Sequence, residues 1–151
     1  MICIGVDPGK LGGLAAIDAS GDVVRVENMP SHEADVLTFF RDMRAADPHV
    51  FAALEHVHAM PKQGVSSVFT FGMGYGGLRM ALVACTIPFE EVTPMKWQKS
   101  LGCLSKGNKN VTRGRARELF GSKVQPITHL IADALLLAEY MRRLERGALP
   151  W

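Results

Sequence analysis

The chain has 151 residues, enough for one domain with a substantial core; 48% are apolar and 21% charged, which excludes a disordered chain. Its net charge is only +2, yet eight cations between Lys96 and Lys123 face the single acid Glu118, so this segment carries +7 and the remainder −5. No apolar run is long enough for a membrane span, and three cysteines without CxxC spacing, behind an N-terminus lacking a basic leader, fit a reducing cytoplasm.

The stretch Ile2-Cys3-Ile4-Gly5-Val6 reads as a buried strand with Asp7 at its end, and Pro8-Gly9 turns the backbone. Gly12 to Asp18 and Val23 to Glu27, joined by Ala19-Ser20-Gly21-Asp22, complete an antiparallel meander, and Gly12 and Gly13 leave room for a close approach near Asp7. Ser31 is the expected N-cap of a helix reaching about Ala46, with Val36, Leu37, Phe39, Phe40 and Met43 on one face. Val50 to Glu55 is a second buried strand ending in a carboxylate. The helix before it is a crossover, which makes this strand parallel to one of the meander; beside the first strand, it brings Asp7 and Glu55 out at one edge.

A loop over 56–64 follows. Ser66 or Ser67 is expected to cap a helix over 67–84, whose Gly72, Gly74, Gly76 and Gly77 permit close approach of a helix, a second subunit or a ligand. Ile87 to Val92 is a fifth strand, ended by Thr93-Pro94, where the basic segment begins. Gly107-Asn108 reads as a flexible turn, residues 111–120 as a helix, and His129 to about Arg146 as a last helix begun by Pro126 or Thr128. The expected fold is α/β: a single domain over residues 1–151, with a mixed sheet of three antiparallel meander strands plus two parallel strands and helices on both faces.

His129 and Asp133, four apart, share a face of the last helix. Asp133 is set among Leu130, Ile131, Ala132, Ala134, Leu135 and Leu136, a poor setting for a solvated carboxylate. Asp7, Glu55 and Asp133 with His129 could hold two ions. Carboxylate oxygens suit Mg²⁺ or Mn²⁺, the imidazole favours Mn²⁺, and the lack of HExxH or paired cysteines argues against zinc. Two such ions support phosphodiester hydrolysis, and the basic segment would hold the phosphate backbone.

The ordered set Gly5-Val6-Asp7-Pro8-Gly9, Leu54-Glu55 and His129-x-x-x-Asp133-Ala134-Leu135 resembles the RuvC family of Holliday junction resolvases, which have the ribonuclease H-like fold, and more closely its phage and chloroplast branch. Pro61 with Gly64-Val65-Ser66-Ser67, the glycine-spaced helix, and Val92-Thr93-Pro94 followed by Trp97 extend the resemblance over nearly the whole chain. It implies a homodimer that makes paired symmetric nicks in a four-way DNA junction using Mg²⁺ or Mn²⁺. Asp7, Glu55 and Asp133 carry over as metal ligands, and His129 stands where the family has a further acid or histidine. Lys109 is the best match to an essential lysine, with Lys106 second. Where bacterial members carry an aromatic wedge this chain has His58, with Met60 nearby. Lys62, Lys96, Lys99, Arg113, Arg115 and Arg117 are further candidate DNA contacts. Trp97 is read as a core anchor of the basic segment or a stacking residue, and at least one of Phe69 and Phe71 as core.

Three other classes fit parts of the pattern. A sugar kinase or actin-like protein opens similarly but needs two lobes. A silent junction-binding protein has no need of three acids beside DNA. An RNase H-type or general branched-DNA nuclease shares the metal chemistry and differs in substrate.

Overall fold

Alternation along one strand decides the architecture. In β1 (Ile2–Asp7) every residue is buried, because both faces of this strand are covered. Ile2, Ile4 and Val6 join one core with Val36, Phe39, Phe40 and Met43 of α1 (Glu33–Ala46) and Leu78 and Leu82 of α2 (Val65–Ala84). Cys3 faces the other core, filled by α5 (His129–Glu145) with residues of α3 (Pro94–Ser100) and α4 (Lys109–Phe120). The computed structural model describes residues 1–58 and 64–149; Met60, Pro61 and Lys62 lie outside the described residues.

The remaining strands are β2 (Gly13–Asp18), β3 (Val23–Asn28), β4 (Val50–Glu55) and β5 (Phe89–Val92), and the sheet order is β3-β2-β1-β4-β5. β1, β2 and β3 pair antiparallel, whereas β4 is parallel to both β1 and β5. The mixed five-stranded sheet with helices on both faces is the fold that the order of elements predicts. Among the described residues no helix is long and apolar enough to cross a membrane.

Local differences from the sequence reading have physical reasons. His32, not Ser31, precedes α1, and no side chain caps that helix. α2 starts after Gly64, so Ser66 and Ser67 lie inside its first turn. β5 begins at Phe89, and α3 was not expected at all. This short helix is set by Thr93, whose hydroxyl accepts from Lys96 N at 3.4 Å, and by Pro94 at its first position. Asn108 is a cap: its side chain accepts from Asn110 N at 3.0 Å, starting α4 two residues earlier than predicted. Neither Phe69 nor Phe71 is a core residue, since Phe69 is exposed and Phe71 only half-buried.

Two glycines let α5 lie directly on the sheet. A Cβ on Gly5 would stand 1.9 Å from the Ala134 carbonyl oxygen, and one on Gly13 2.6 Å from that of Leu130. The contact is backbone on backbone, so relief requires moving the helix. Gly5→Ala should therefore cost about 3 kcal/mol or more, lowering the thermal midpoint by roughly 6–12 °C. A midpoint within about 2 °C of the parent would mean that α5 is less closely seated than described.

Candidate active site

The site begins where β1 and β4 end. Their parallel register pairs Val6 with Leu54, so Asp7 and Glu55 follow side by side at the carboxyl ends. The two-residue period aims both at the α5 side, where Cys3 and Ala53 already pack. From the helix comes Asp133, the residue before the Ala134 whose carbonyl rests on Gly5. Asp7 and Asp133 are only 5% and 4% exposed, while Glu55, with the longer side chain, is half-buried.

Grouping three acids in a poorly solvated place disfavours their charges. Burial, then the neighbouring charges of Glu55 and Asp133, push the Asp7 carboxyl up from 3.8 to about 8, against the opposing pull of Lys109. Glu55 is also raised, mainly by burial and then by Asp133, although a hydrogen bond from Trp97 and the charge of Lys109 work the other way. Lys109 Nζ lies 2.7 Å from Asp133 Oδ2. Burial disfavours its ammonium, but the bond to Asp133 and the charges of Asp133, Asp7 and Glu55 outweigh this and raise its pKa. The other Asp133 oxygen, Oδ1, is buried without a hydrogen-bond partner.

Four of the expected residues therefore meet: Asp7, Glu55, Asp133 and Lys109. His129 shares their helix but is exposed in its first turn, one turn from Asp133. His58 is exposed just beyond β4, and Met60 and Lys62 lie outside the described residues. Lys99, Lys106 and Arg117 are exposed and have no ion pair among the described residues. Other cations of the basic segment have local partners. Lys96 pairs with Glu90 at 2.7 Å, Lys123 with Asp22 at 2.8 Å, and Arg113 donates to Asn110 at 3.1 Å. Arg115 donates to the Leu101 carbonyl at 3.0 Å and pairs with Glu118 at 2.8 Å.

Of the two readings of Trp97, the core anchor holds. Trp97 is fully buried, which rules out base stacking, and its Nε1–H donates to Glu55 Oε1 at 2.9 Å. The sequence signals were a tryptophan shortly after a strand end and its place in the motif resemblance, and neither names an acceptor. Nearby, Glu91 holds His56 at 3.3 Å and Arg79 of α2 at 2.6 Å, fixing the first residue after β4.

Among the described residues no group of three His, Cys, Asp or Glu side chains is closed up into a ready metal cage. The chemistry of the donors nevertheless fits a hard divalent cation. All three are carboxylates, one buried oxygen is unpartnered, and the single ammonium leaves negative charge uncompensated.

Without a cation, a carboxyl raised to about 8 binds its proton more tightly in the folded chain than in the unfolded one. Its contribution is intact below the unfolded value of 3.8 and is lost as the pH rises towards 8. In EDTA the thermal midpoint should fall by about 5 °C or more between roughly pH 5 and pH 8. Asp7→Asn should flatten that slope, and excess Mg²⁺ should flatten it in the parent. An equal fall in Asp7→Asn would show that the site carries no such strain.

No protein-family model and no curated protein matches the sequence. Solved structures do. The chain is similar to Thermus thermophilus RuvC, with a TM-score of 0.72, 18% identity and 97% of each chain covered. It is also similar to T. thermophilus RuvC in complex with Holliday junction substrate, with a TM-score of 0.71, 18% identity and the same 97% coverage of both. The chain thus has the fold of RuvC along nearly its whole length, in keeping with the resemblance carried by its motifs.

Proposed function

We propose that this chain is a metal-dependent endonuclease that resolves four-way DNA junctions by paired, symmetric nicks. The observation that carries the reading is the convergence of Asp7, Glu55 and Asp133 at one sheet edge, two of them buried, with Lys109 against them. Grouping three acids, two of them buried, is costly unless a cation uses them. The junction as substrate follows from the RuvC-like fold and from the motif resemblance. Residues 1–151 would act as one nuclease domain of the phage and chloroplast type, working in the cytoplasm.

Asp7, Glu55 and Asp133 would hold Mg²⁺ or Mn²⁺, two ions in the full site, with His129 as the fourth donor. When bound, such ions activate a water and stabilise the leaving oxygen of a phosphodiester. Lys109 neutralises Asp133 before the ions arrive and can then face the phosphate. Lys99, Lys106 and Arg117 are the cations best placed for the DNA backbone, as they are exposed with no ion pair among the described residues. Lys96, Arg113 and Arg115 would first have to leave the partners they hold. His58 is the described candidate for entering the junction.

A labelled four-way junction, a linear duplex and an RNA–DNA hybrid, each with Mg²⁺ or Mn²⁺, test the reading. Symmetric paired nicks confined to the junction are expected. Asp7→Asn should lower cutting by at least about a thousandfold while junction binding survives. Cutting of the hybrid alone would move the function to an RNase H, and tight junction binding without cutting would leave a silent binder.

The second copy belongs on α2. One stripe of this helix, with Leu78 and Leu82, packs on the core. A separate stripe of Val65, Phe69, Met73, Met80 and Val83 is exposed, Phe69 by 69% and Met80 by 64%. Gly72 and Gly76 lie in that stripe with nothing among the described residues within 4 Å of a Cβ. A two-fold symmetric junction calls for two sites, and this stripe is a surface a second copy could cover. Light scattering at micromolar concentration should give a dimer for the parent and a monomer for Met80→Asp. A dimer in both would place the interface elsewhere.

A further inference from the structure

We propose that Trp97 is a positioning residue for the reaction: its indole N–H fixes Glu55 Oε1, which leaves Oε2 as the oxygen Glu55 would offer to the divalent cation that Asp7, Glu55 and Asp133 would hold. The inference rests on the nuclease reading and adds to it a residue outside the acidic set.

The three carboxylates face different conformational problems. Asp7 and Asp133 are short and almost wholly buried, so packing limits their rotamers. Glu55 has one more torsion and is half-buried at the rim, where it could swing towards solvent. Anchoring one oxygen removes that freedom. An indole N–H suits the task because it only donates, so it can fill an oxygen lone pair and cannot accept a proton from the carboxyl group.

The anchor is itself held from several directions. Val92, the last residue of β5, pairs with Glu55, and its carbonyl accepts from His56 N at 2.7 Å. Thr93 and Pro94 then turn the chain into α3, which brings the indole back under the end of β4. There Trp97 is fully buried in the core that also contains Ala53, Ala132 and Leu136. A buried indole N–H needs an acceptor, and Glu55 Oε1 at 2.9 Å supplies it. The bond therefore constrains both partners. It also ties α3, with exposed Lys99, rigidly to the strand that bears the acid.

The test is direct binding of Mn²⁺, followed by the loss of its free electron-spin-resonance signal in the absence of DNA. Two replacements at Trp97 are compared with the parent: Trp97→Phe, and a benzothienylalanine that keeps the indole's shape and lacks only the N–H. Removing a hydrogen-bond partner of a metal ligand typically weakens the metal about tenfold or more. That loss is expected in the benzothiophene variant, with its thermal midpoint in EDTA near the parent's. If Trp97→Phe fails to fold, the benzothiophene variant decides alone. Mn²⁺ affinity within about twofold of the parent, in a parent that binds Mn²⁺ and cuts the junction, would overturn the role of Trp97 and leave the nuclease reading standing. A parent that binds no Mn²⁺ would overturn both.

Discussion

The contact on which the rest depends is the seating of α5 on β1 at Gly5. An ordinary helix-on-sheet packing keeps the two backbones apart by the thickness of their side chains. Here Gly5 and Gly13 remove that thickness at two places under consecutive turns of the helix. Asp133 is thereby delivered to the ends of β1 and β4 at a depth where water is scarce. A larger residue at position 5 would lift the helix, and its carboxylate would leave the site with it. The same contact seats Leu135, Leu136 and Leu137 in the core, so the site and much of the hydrophobic stability share one interface.

How much of this could be read beforehand follows from the range of each interaction. Asp7 and Glu55 could be placed together because their strands end in carboxylates and the connecting helix makes them parallel. Asp133 was legible through its apolar neighbours. These inferences use periodicity and connection rules, which act over short stretches of chain. The Trp97–Glu55 bond spans 42 positions and the Lys109–Asp133 bond 24. Neither has a local signature. Nor could a count of basic residues tell that Lys96, Arg115 and Lys123 have acidic partners while Lys99 and Lys106 have none among the described residues. Helix starts were misread for a related reason. Ser31, Ser66 and Ser67 are good caps by type, yet the chain enters those helices at His32 and Gly64, where tertiary packing overrides a preference of about 1 kcal/mol.

The glycines of α2 make the opposite case to Gly5. The sequence suggested close approach for the α2 glycines and carried no such signal at Gly5. At Gly5 the approaching backbone is present, whereas Gly72, Gly74, Gly76 and Gly77 face open space among the described residues. Four glycines in a helix interior cost roughly 1 kcal/mol each relative to alanine. A helix carrying that burden, with an uncovered apolar stripe as well, is poorly explained by the single chain. A surface in the assembled state would account for both.

Charge balance gives the site its character. Three carboxylates against one ammonium would carry −2 if all were ionised, and the Asp7 pKa is raised by burial first and by the neighbouring carboxylates second. A proton on Asp7 relieves part of that negative charge, and a divalent cation would match it while leaving the carboxylates ionised. Lys109 cannot take that role alone, because its single charge is committed to Asp133 Oδ2 and Oδ1 of the same carboxylate still lacks a partner. Trp97 adds a dipole and no net charge. The folded chain thus fixes where the acids stand and leaves their neutralisation incomplete, which is the electrostatic condition a cation-dependent site requires.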